Sequence, residues 1–241
     1  MTQFKPLSSM VTPRFAEVAT FFRLPIEKDL SKLDYCICGV PWDGGTTNRP
    51  GARHGPREIR NASSLVRSYH PVSLKSPYDI CNIADIGDCT VNPADLIDSL
   101  SKIEQFYKKI FGSNTTPISI GGDHLISLPI LRGLKNKQPV GLFQFDSHSD
   151  TWDTYFGDFK YTHGTPFRRA IEENLIDPKR YVMLGIRGSL YDPDDLTWAR
   201  QQGVTIITID EYYEMGFKKC VEKIYDVLDG IPVYFTFDID G

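Results

Sequence analysis

The sequence predicts an α/β fold, a three-layer αβα sandwich on a mainly parallel sheet. Short apolar, β-branched runs alternate with longer amphipathic stretches, the pattern of repeated βαβ units. The length of 241 residues, 41% hydrophobic and 24% charged, suits either one large α/β domain or two small ones. Three of the apolar runs also end in polar clusters, which places those clusters on one edge of the sheet.

In chain order, residues 1–33 carry Pro6, Pro13 and Pro25 and are expected to wrap the surface, with Phe15, Phe21 and Phe22 packing part of the segment down. The first strand is expected from Asp34 to Val40. Its Cys36 and Cys38 are two apart and so share one face, as small buried side chains. Further strands are expected at Ile83 to Ile86, Pro117 to Ile120, Val140 to Phe145, Tyr181 to Ile186, Val204 to Ile209 and Val233 to Phe237. Helices are expected between them, near Pro56 to Ser68, Pro93 to Phe111, Ile126 to Lys137, Pro166 to Glu173, Asp194 to Gln202 and Lys218 to Leu228. Asn92 before Pro93 and Asp192 before Pro193 read as a capping residue followed by proline at a first helical position. Neither an internal repeat nor a linker divides the chain, so residues 1–241 read as a single catalytic-sized domain.

Composition removes several function classes. The balance of 27 Lys and Arg against 31 Asp and Glu gives a net charge of −4, which argues against nucleic acid as partner. The basic group Arg49, Arg53, Arg57 and Arg60 is interrupted by Pro, Gly and Glu58 and reads as a local ion-pair region. No window reaches the roughly 18 to 20 apolar residues of a membrane span, and the start lacks the apolar core of a secretory signal. The five scattered cysteines form neither a disulfide framework nor a zinc-type set. The expected location is cytoplasmic.

The chemistry concentrates at three strand ends. Ile118 to Ile120 run into Gly121-Gly122-Asp123-His124, Leu142 to Phe145 into Asp146-Ser147-His148-Ser149-Asp150, and Tyr234 to Phe237 into Asp238-Ile239-Asp240. Residues two apart on an extended chain face one way, so Asp146, His148 and Asp150 can converge, and Asp238 and Asp240 repeat the spacing. So many carboxylates at the ends of buried strands are costly without cations. Four aspartates supply a charge of about −4 and two divalent ions about +4, while His124 and His148 add neutral nitrogen donors. An oxygen-rich set without thiolates suits a hard or borderline ion such as Mn²⁺, with nickel, iron and cobalt as alternatives. A metal pair lowers the pKa of a shared water, which predicts hydrolysis.

These motifs resemble those of the ureohydrolases, the family of arginase, agmatinase and related guanidino-acid hydrolases. GGDH at Gly121 to His124, DSHSD at Asp146 to Asp150, HGTPF at His163 to Phe167 and FDIDG at Phe237 to Gly241 stand in the family order, and Gly45 to Arg60 looks like the first loop and helix of the agmatinase-like branch. The resemblance implies that His124, Asp146, His148, Asp150, Asp238 and Asp240 hold two Mn²⁺, with the division between the ions left open. It implies that activated water attacks the guanidinium carbon of a small substrate, that Asp150 steadies that water, and that His163 shuttles a proton to the leaving amine. It also implies a homo-oligomer, trimeric or hexameric.

Departures from arginase narrow the substrate. Trp152, Phe159 and Tyr161 stand where arginases carry small polar residues for the amino-acid end of arginine. An aromatic mouth of Trp152, Tyr155, Phe159 and Tyr161 suits agmatine, guanidinobutyrate, guanidinopropionate or guanidine instead, with cation–π attraction of about 0.5 to 2 kcal/mol available. Asp153 and Asp158 would favour a distal amine, Arg49 or Arg168 a distal carboxylate. Ser147 and Thr236, conservative departures from the usual Ala and Ser, are expected to leave metal ligation untouched. Family members continue past FDIDG to a guanidinium-binding glutamate, so the chain is expected to be short at its C-terminal end. That shortness supports a competing reading as a non-catalytic metal-binding fragment or oligomer partner. A two-metal phosphate esterase is disfavoured, because no basic or glycine-rich phosphate cradle lies at the strand ends.

Overall fold

The computed structural model describes residues 4–134 and 138–241, so the expected helix end at Lys137 lies outside the described residues. The chain divides into two compact units, one up to Ile126 and one from Ser127.

The first unit is built on three parallel strands, β1 (Tyr35–Val40), β2 (Ile83–Asp88) and β3 (Thr116–Gly121), in the order β2-β1-β3. Central β1 is buried from Cys36 onward, as a strand covered on both faces must be. Alternation along it sends Ile37 to one face and Cys36 and Cys38 to the other. Ile37 joins Phe21, Leu24, Tyr78 and Ile83 in a core that Ile59 of helix α1 (Gly55–Ser63) packs against. Opposite, helix α2 (Leu96–Phe111) supplies Tyr107, whose hydroxyl donates to Ser119 Oγ at 2.6 Å and lies 3.3 Å from Cys38 Sγ. Cys36 and Cys38 are buried free thiols, as expected.

Asp85 is buried beside this core. Burial pushes its carboxyl pKa up, but two hydrogen bonds from Arg60, at 2.8 and 3.0 Å, and the N–H groups of Phe21 and Gly87 hold it below the usual value. Arg60 also pairs with Asp88 and lies 4.0 Å above the Phe21 ring centre. Arg53 pairs with buried Asp43. For these two arginines the ion-pair reading of the basic group is right. Of the N-terminal phenylalanines expected to pack down, Phe21 is buried and Phe22 packs on the core, but Phe15 is 92% exposed.

The second unit holds four parallel strands, β4 (Val140–Phe145), β5 (Ile176–Ile186), β6 (Thr205–Thr208) and β7 (Val233–Phe237), in the order β6-β5-β4-β7. Helix α6 (Ile209–Leu228) covers the face of Phe143, Phe145, Val182 and Leu184 through Cys220. Helix α4 (Pro166–Glu172) covers the other, with the Phe167 ring 5.9 Å from that of Tyr181. Helices α3 (Ser127–Leu134) and α5 (Thr197–Gln202) complete the unit. Each unit is thus a parallel sheet with helices on both faces. The described strands form one three-stranded and one four-stranded parallel ladder, in keeping with the expected parallel α/β class.

Boundaries moved where polar chemistry outweighs apolar pattern. Helix α2 starts at Leu96 because Asp95 accepts from Asp98 N at 3.0 Å; Asn92 instead accepts from Ala94 N in a turn ahead of the helix. Asp192 does the same with Asp194 N, and α5 starts only at Thr197. Helix α6 begins nine residues before the expected Lys218, on a capping box between Thr208 and Glu211, and is broken at Gly216.

Candidate metal centre

In the first unit His124 opens a short 3-10 turn, His124–Ile126, directly after β3. The turn is braced by buried Asp123, whose carboxylate accepts from Gly45 N at 2.7 Å and Leu125 N at 2.9 Å. Burial pushes the Asp123 pKa up to about 7 even against those two donors. The same loop is tied further along by Asp43, which accepts from Gly51 N and Arg53 N. His124 is half-buried at the mouth of this arrangement.

In the second unit Leu142, Gln144 and Asp146 fall on one face of β4 by strand alternation, and all three are buried. Burying a carboxylate there demands donors. Gln144 Nε2 donates to Asp146 Oδ2 at 2.8 Å and to the His148 carbonyl at 3.0 Å, and its own carbonyl accepts from the buried Tyr181 hydroxyl. His148 N donates to Asp146 Oδ1 at 2.8 Å. Asp146 is therefore oriented from behind by a Tyr181–Gln144 relay, and its backbone N donates to Leu184 O at 3.0 Å. At Gly185, beside it, φ is +102° and a Cβ would stand 3.1 Å from the Asp146 carbonyl oxygen, so a side chain there would meet both strain and contact.

Asp146, His148 and Asp240 each offer a ligand atom within 4.8 Å of the others. His148 Nδ1 stands 3.6 Å from Asp146 Oδ1 and 3.3 Å from Asp240 Oδ2. The hydrogen bond with Asp146, opposed by partial burial and aided by the charges of Asp240 and Asp150, pushes its pKa up to about 9. A divalent cation fits where that proton sits, since two carboxylates and an imidazole are the donors a hard or borderline ion takes. Asp240 reaches the group because Asp238 N donates to Phe145 O at 2.9 Å and Asp238 Oδ1 accepts from Asp240 N at 3.2 Å, drawing the end of β7 beside that of β4. Ser147 borders the same group: its hydroxyl donates to Asp240 Oδ1 at 2.6 Å and lies 3.1 Å from His148 Nδ1. A hydroxyl at that place bonds what an alanine methyl would leave alone.

Asp150 is buried and takes φ +50°, a left-handed backbone uncommon outside glycine and concentrated at functional sites. Its carbonyl accepts from Phe167 N at 3.2 Å, which fastens the turn to the start of α4. His163 is half-buried in the turn before that helix, where Thr165 Oγ1 donates to the carbonyls of Lys160 and Thr162.

The four aromatic residues separate. Trp152 and Tyr155 meet edge to face with ring centres 6.1 Å apart. Phe159 pairs with Tyr155 through backbone hydrogen bonds of 2.9 and 3.0 Å, and its side chain is exposed. Tyr161 lies instead beneath the Arg132 guanidinium, 5.8 Å from it, where Arg132 also pairs with Glu173. Asp153 and Arg168 pair with each other at 3.4 Å, and Arg168 stacks 4.2 Å over Trp198, so both charges are engaged in the scaffold. Gln144 and Tyr181 were not among the expected site residues, although a glutamine on the apolar face of a buried strand two residues before Asp146 was a usable signal.

Residues 33–241 match the arginase family. The guanidinopropionase of Pseudomonas aeruginosa is 53% identical over 236 residues, covering 98% of this chain and 74% of that protein. The guanidinobutyrase of the same organism is 42% identical over 241 residues, covering 98% and 75%. Among solved structures, proclavaminate amidinohydrolase from Streptomyces clavuligerus superposes with a TM-score of 0.90 at 36% identity, covering 95% of this chain and 76% of that one. A hypothetical agmatinase from Burkholderia thailandensis gives 0.83 at 33%, covering 94% and 70%. The chain spans about three quarters of the length of these curated relatives. With ordered motifs, parallel α/β architecture and near-complete coverage in agreement, the chain belongs to the arginase family.

Proposed function

We propose that the chain hydrolyses a small guanidino acid to urea and an amine at a binuclear manganese centre. The observation that carries the reading is the carboxylate–imidazole cluster of Asp146, His148 and Asp240 at the carboxyl ends of β4 and β7 in an arginase-family chain. His124, Asp150 and Asp238 complete the ligand set by their motifs. A bound divalent pair supplies a water acidic enough to attack near neutral pH.

The chain's own residues do the rest. Gln144 and Tyr181 hold Asp146 in one orientation, and Ser147 does so for Asp240. Asp150 accepts a hydrogen bond from the attacking water, and His163 carries a proton to the departing nitrogen. Trp152 and Tyr155 enclose the carbon chain. A guanidino acid is favoured over agmatine by the 53% identity to a guanidinopropionase; guanidinobutyrate and agmatine are the nearest alternatives. A reducing, cytoplasmic setting agrees with five free cysteines, and no helix among the described residues is long and apolar enough to cross a membrane. A homotrimer or homohexamer, and a place in arginine and polyamine metabolism, follow the family.

The test is product analysis with guanidinopropionate, guanidinobutyrate, agmatine, guanidine and arginine. Manganese-loaded chain is expected to release urea and the matching amine in equal amounts from guanidinopropionate, and metal-free chain none. Metal retained without urea from any of these compounds would favour the non-catalytic metal-binding reading.

A further inference from the structure

The loop after β5 brings a third ring to Trp152 and Tyr155. Tyr191 lies with its ring centre 6.0 Å from that of Trp152, at an interplanar angle of 72°, and 6.5 Å from that of Tyr155, at 79°. With Trp152 and Tyr155 at 74° to each other, the three rings stand nearly perpendicular in pairs, like the walls at the corner of a box. Two of those walls follow Asp150 by two and five residues.

Tyr191 is placed by design of the loop rather than by burial. Its ring is 81% exposed, so it adds little to the core. Its backbone is nevertheless pinned: Tyr191 N donates to Asp195 Oδ2 at 2.7 Å, Asp192 N to the same oxygen at 3.2 Å, and Asp194 N to Asp192 Oδ1 at 2.9 Å. The loop is also anchored at its start, where Arg187 N donates to Ser147 O at 3.0 Å and the Arg187 guanidinium to Asp240 O. Both acceptors belong to residues of the candidate metal centre. On the opposite side Trp152 N donates to Gly164 O at 3.1 Å, and a Cβ at Gly164 would stand 2.8 Å from the Tyr155 hydroxyl and 3.2 Å from Trp152, so only glycine lets these rings lie there undisturbed. Arg169 holds the Trp152 loop from below through the Asp153 carbonyl and carboxylate, at 2.9 and 2.8 Å.

We infer that Tyr191 is a specificity-determining residue: with Trp152 and Tyr155 it forms an aromatic box that selects guanidino substrates by the length of the carbon chain beyond the guanidinium group. The inference rests on the proposed guanidino-acid hydrolysis. One methylene too many or too few in an apolar site changes selectivity by about 10 to 200-fold, which is the discrimination such a box can provide. The wall is the ring, which meets both Trp152 and Tyr155 edge to face, while the Tyr191 side chain also hydrogen-bonds that of Tyr155.

The experiment compares the parent chain with Tyr191→Ala and Tyr191→Phe, all manganese-loaded, on guanidinoacetate, guanidinopropionate, guanidinobutyrate and agmatine. Bound manganese and melting temperature are measured beside kcat and KM. Tyr191→Ala is expected to keep its metal and its melting temperature, to raise KM for the best substrate, and to lower the ratio of kcat/KM between propionate and butyrate homologues by roughly tenfold. Tyr191→Phe is expected to keep the parent ratio. An unchanged ratio in Tyr191→Ala, with the parent active and selective, would overturn the inference alone; so would a parent that is active without chain-length preference. A manganese-loaded parent that turns over none of the compounds would overturn the proposed function and this inference with it.

Discussion

Asp146 is held by three neighbours before any ion arrives: Gln144, the His148 backbone and, through Gln144, Tyr181. Removing the carboxylate and removing its orienting partners should therefore differ in degree. Asp146→Ala is expected to lose bound manganese outright, whereas Gln144→Leu should weaken metal affinity by about 10 to 100-fold, the usual cost of losing a group that orients a ligand. Equilibrium dialysis with metal analysis measures both, and a Gln144→Leu chain of parental affinity would remove the relay from the account. His163→Asn is expected to keep both ions and lower kcat, since the residue stands in a turn braced by Thr165 rather than in the Asp146 cluster. A rate unaltered across the pH range would exclude it as proton carrier. That Asp146 and His148 come together was legible from their spacing of two at a strand end, whereas Asp150 leaves that alternation through its left-handed backbone. The contacts of Ser147 and Tyr191 were not legible: a hydroxyl's partner and a ring's neighbours depend on loop geometry that no period records.

At the scale of elements, polar caps decided what apolar pattern left open. Helix α6 starts at its capping box, and Thr208→Ala should cost about 1 kcal/mol, within the 0.5 to 2 range for such caps, read from urea denaturation. Strand β5 begins at Ile176, earlier than the apolar run from Tyr181, because Ile176 already pairs with Val140; the stretch Asp177 to Arg180 interrupts the register before Tyr181 pairs with Leu142. The buried Asp85–Arg60 pair ties β2 to α1 and has a definite pH signature. Asp85 has a folded pKa below its unfolded one, so its contribution is fully present above the unfolded value of about 3.9 and is lost as pH falls through the folded value. Arg60→Met would leave a buried carboxylate unpaired, with an expected loss of about 3 to 5 kcal/mol at neutral pH. The same variant should show a flatter loss of stability on acidification than the parent. Equal acid sensitivity of the two would contradict the pairing.

At the scale of the molecule, every ladder among the described strands is parallel, and helices cover both faces of each sheet. The α/β class and the strand positions were legible because buried parallel strands are short apolar runs. The strand order within each ladder was not, because the apolar pattern of a strand does not name its neighbours. If the ions bind the folded chain and not the unfolded one, free metal at a hundred times its dissociation constant should add about 2.7 kcal/mol per site, seen as a rise in melting temperature that a chelator reverses.

The most direct test of a metal-dependent guanidino hydrolase is urea release from guanidinopropionate while metal-free chain is titrated with manganese. The parent's rate is expected to rise from zero and saturate at two ions per chain, with no comparable rise in Asp146→Ala. A rate independent of manganese, or two ions bound with no urea formed, would contradict it.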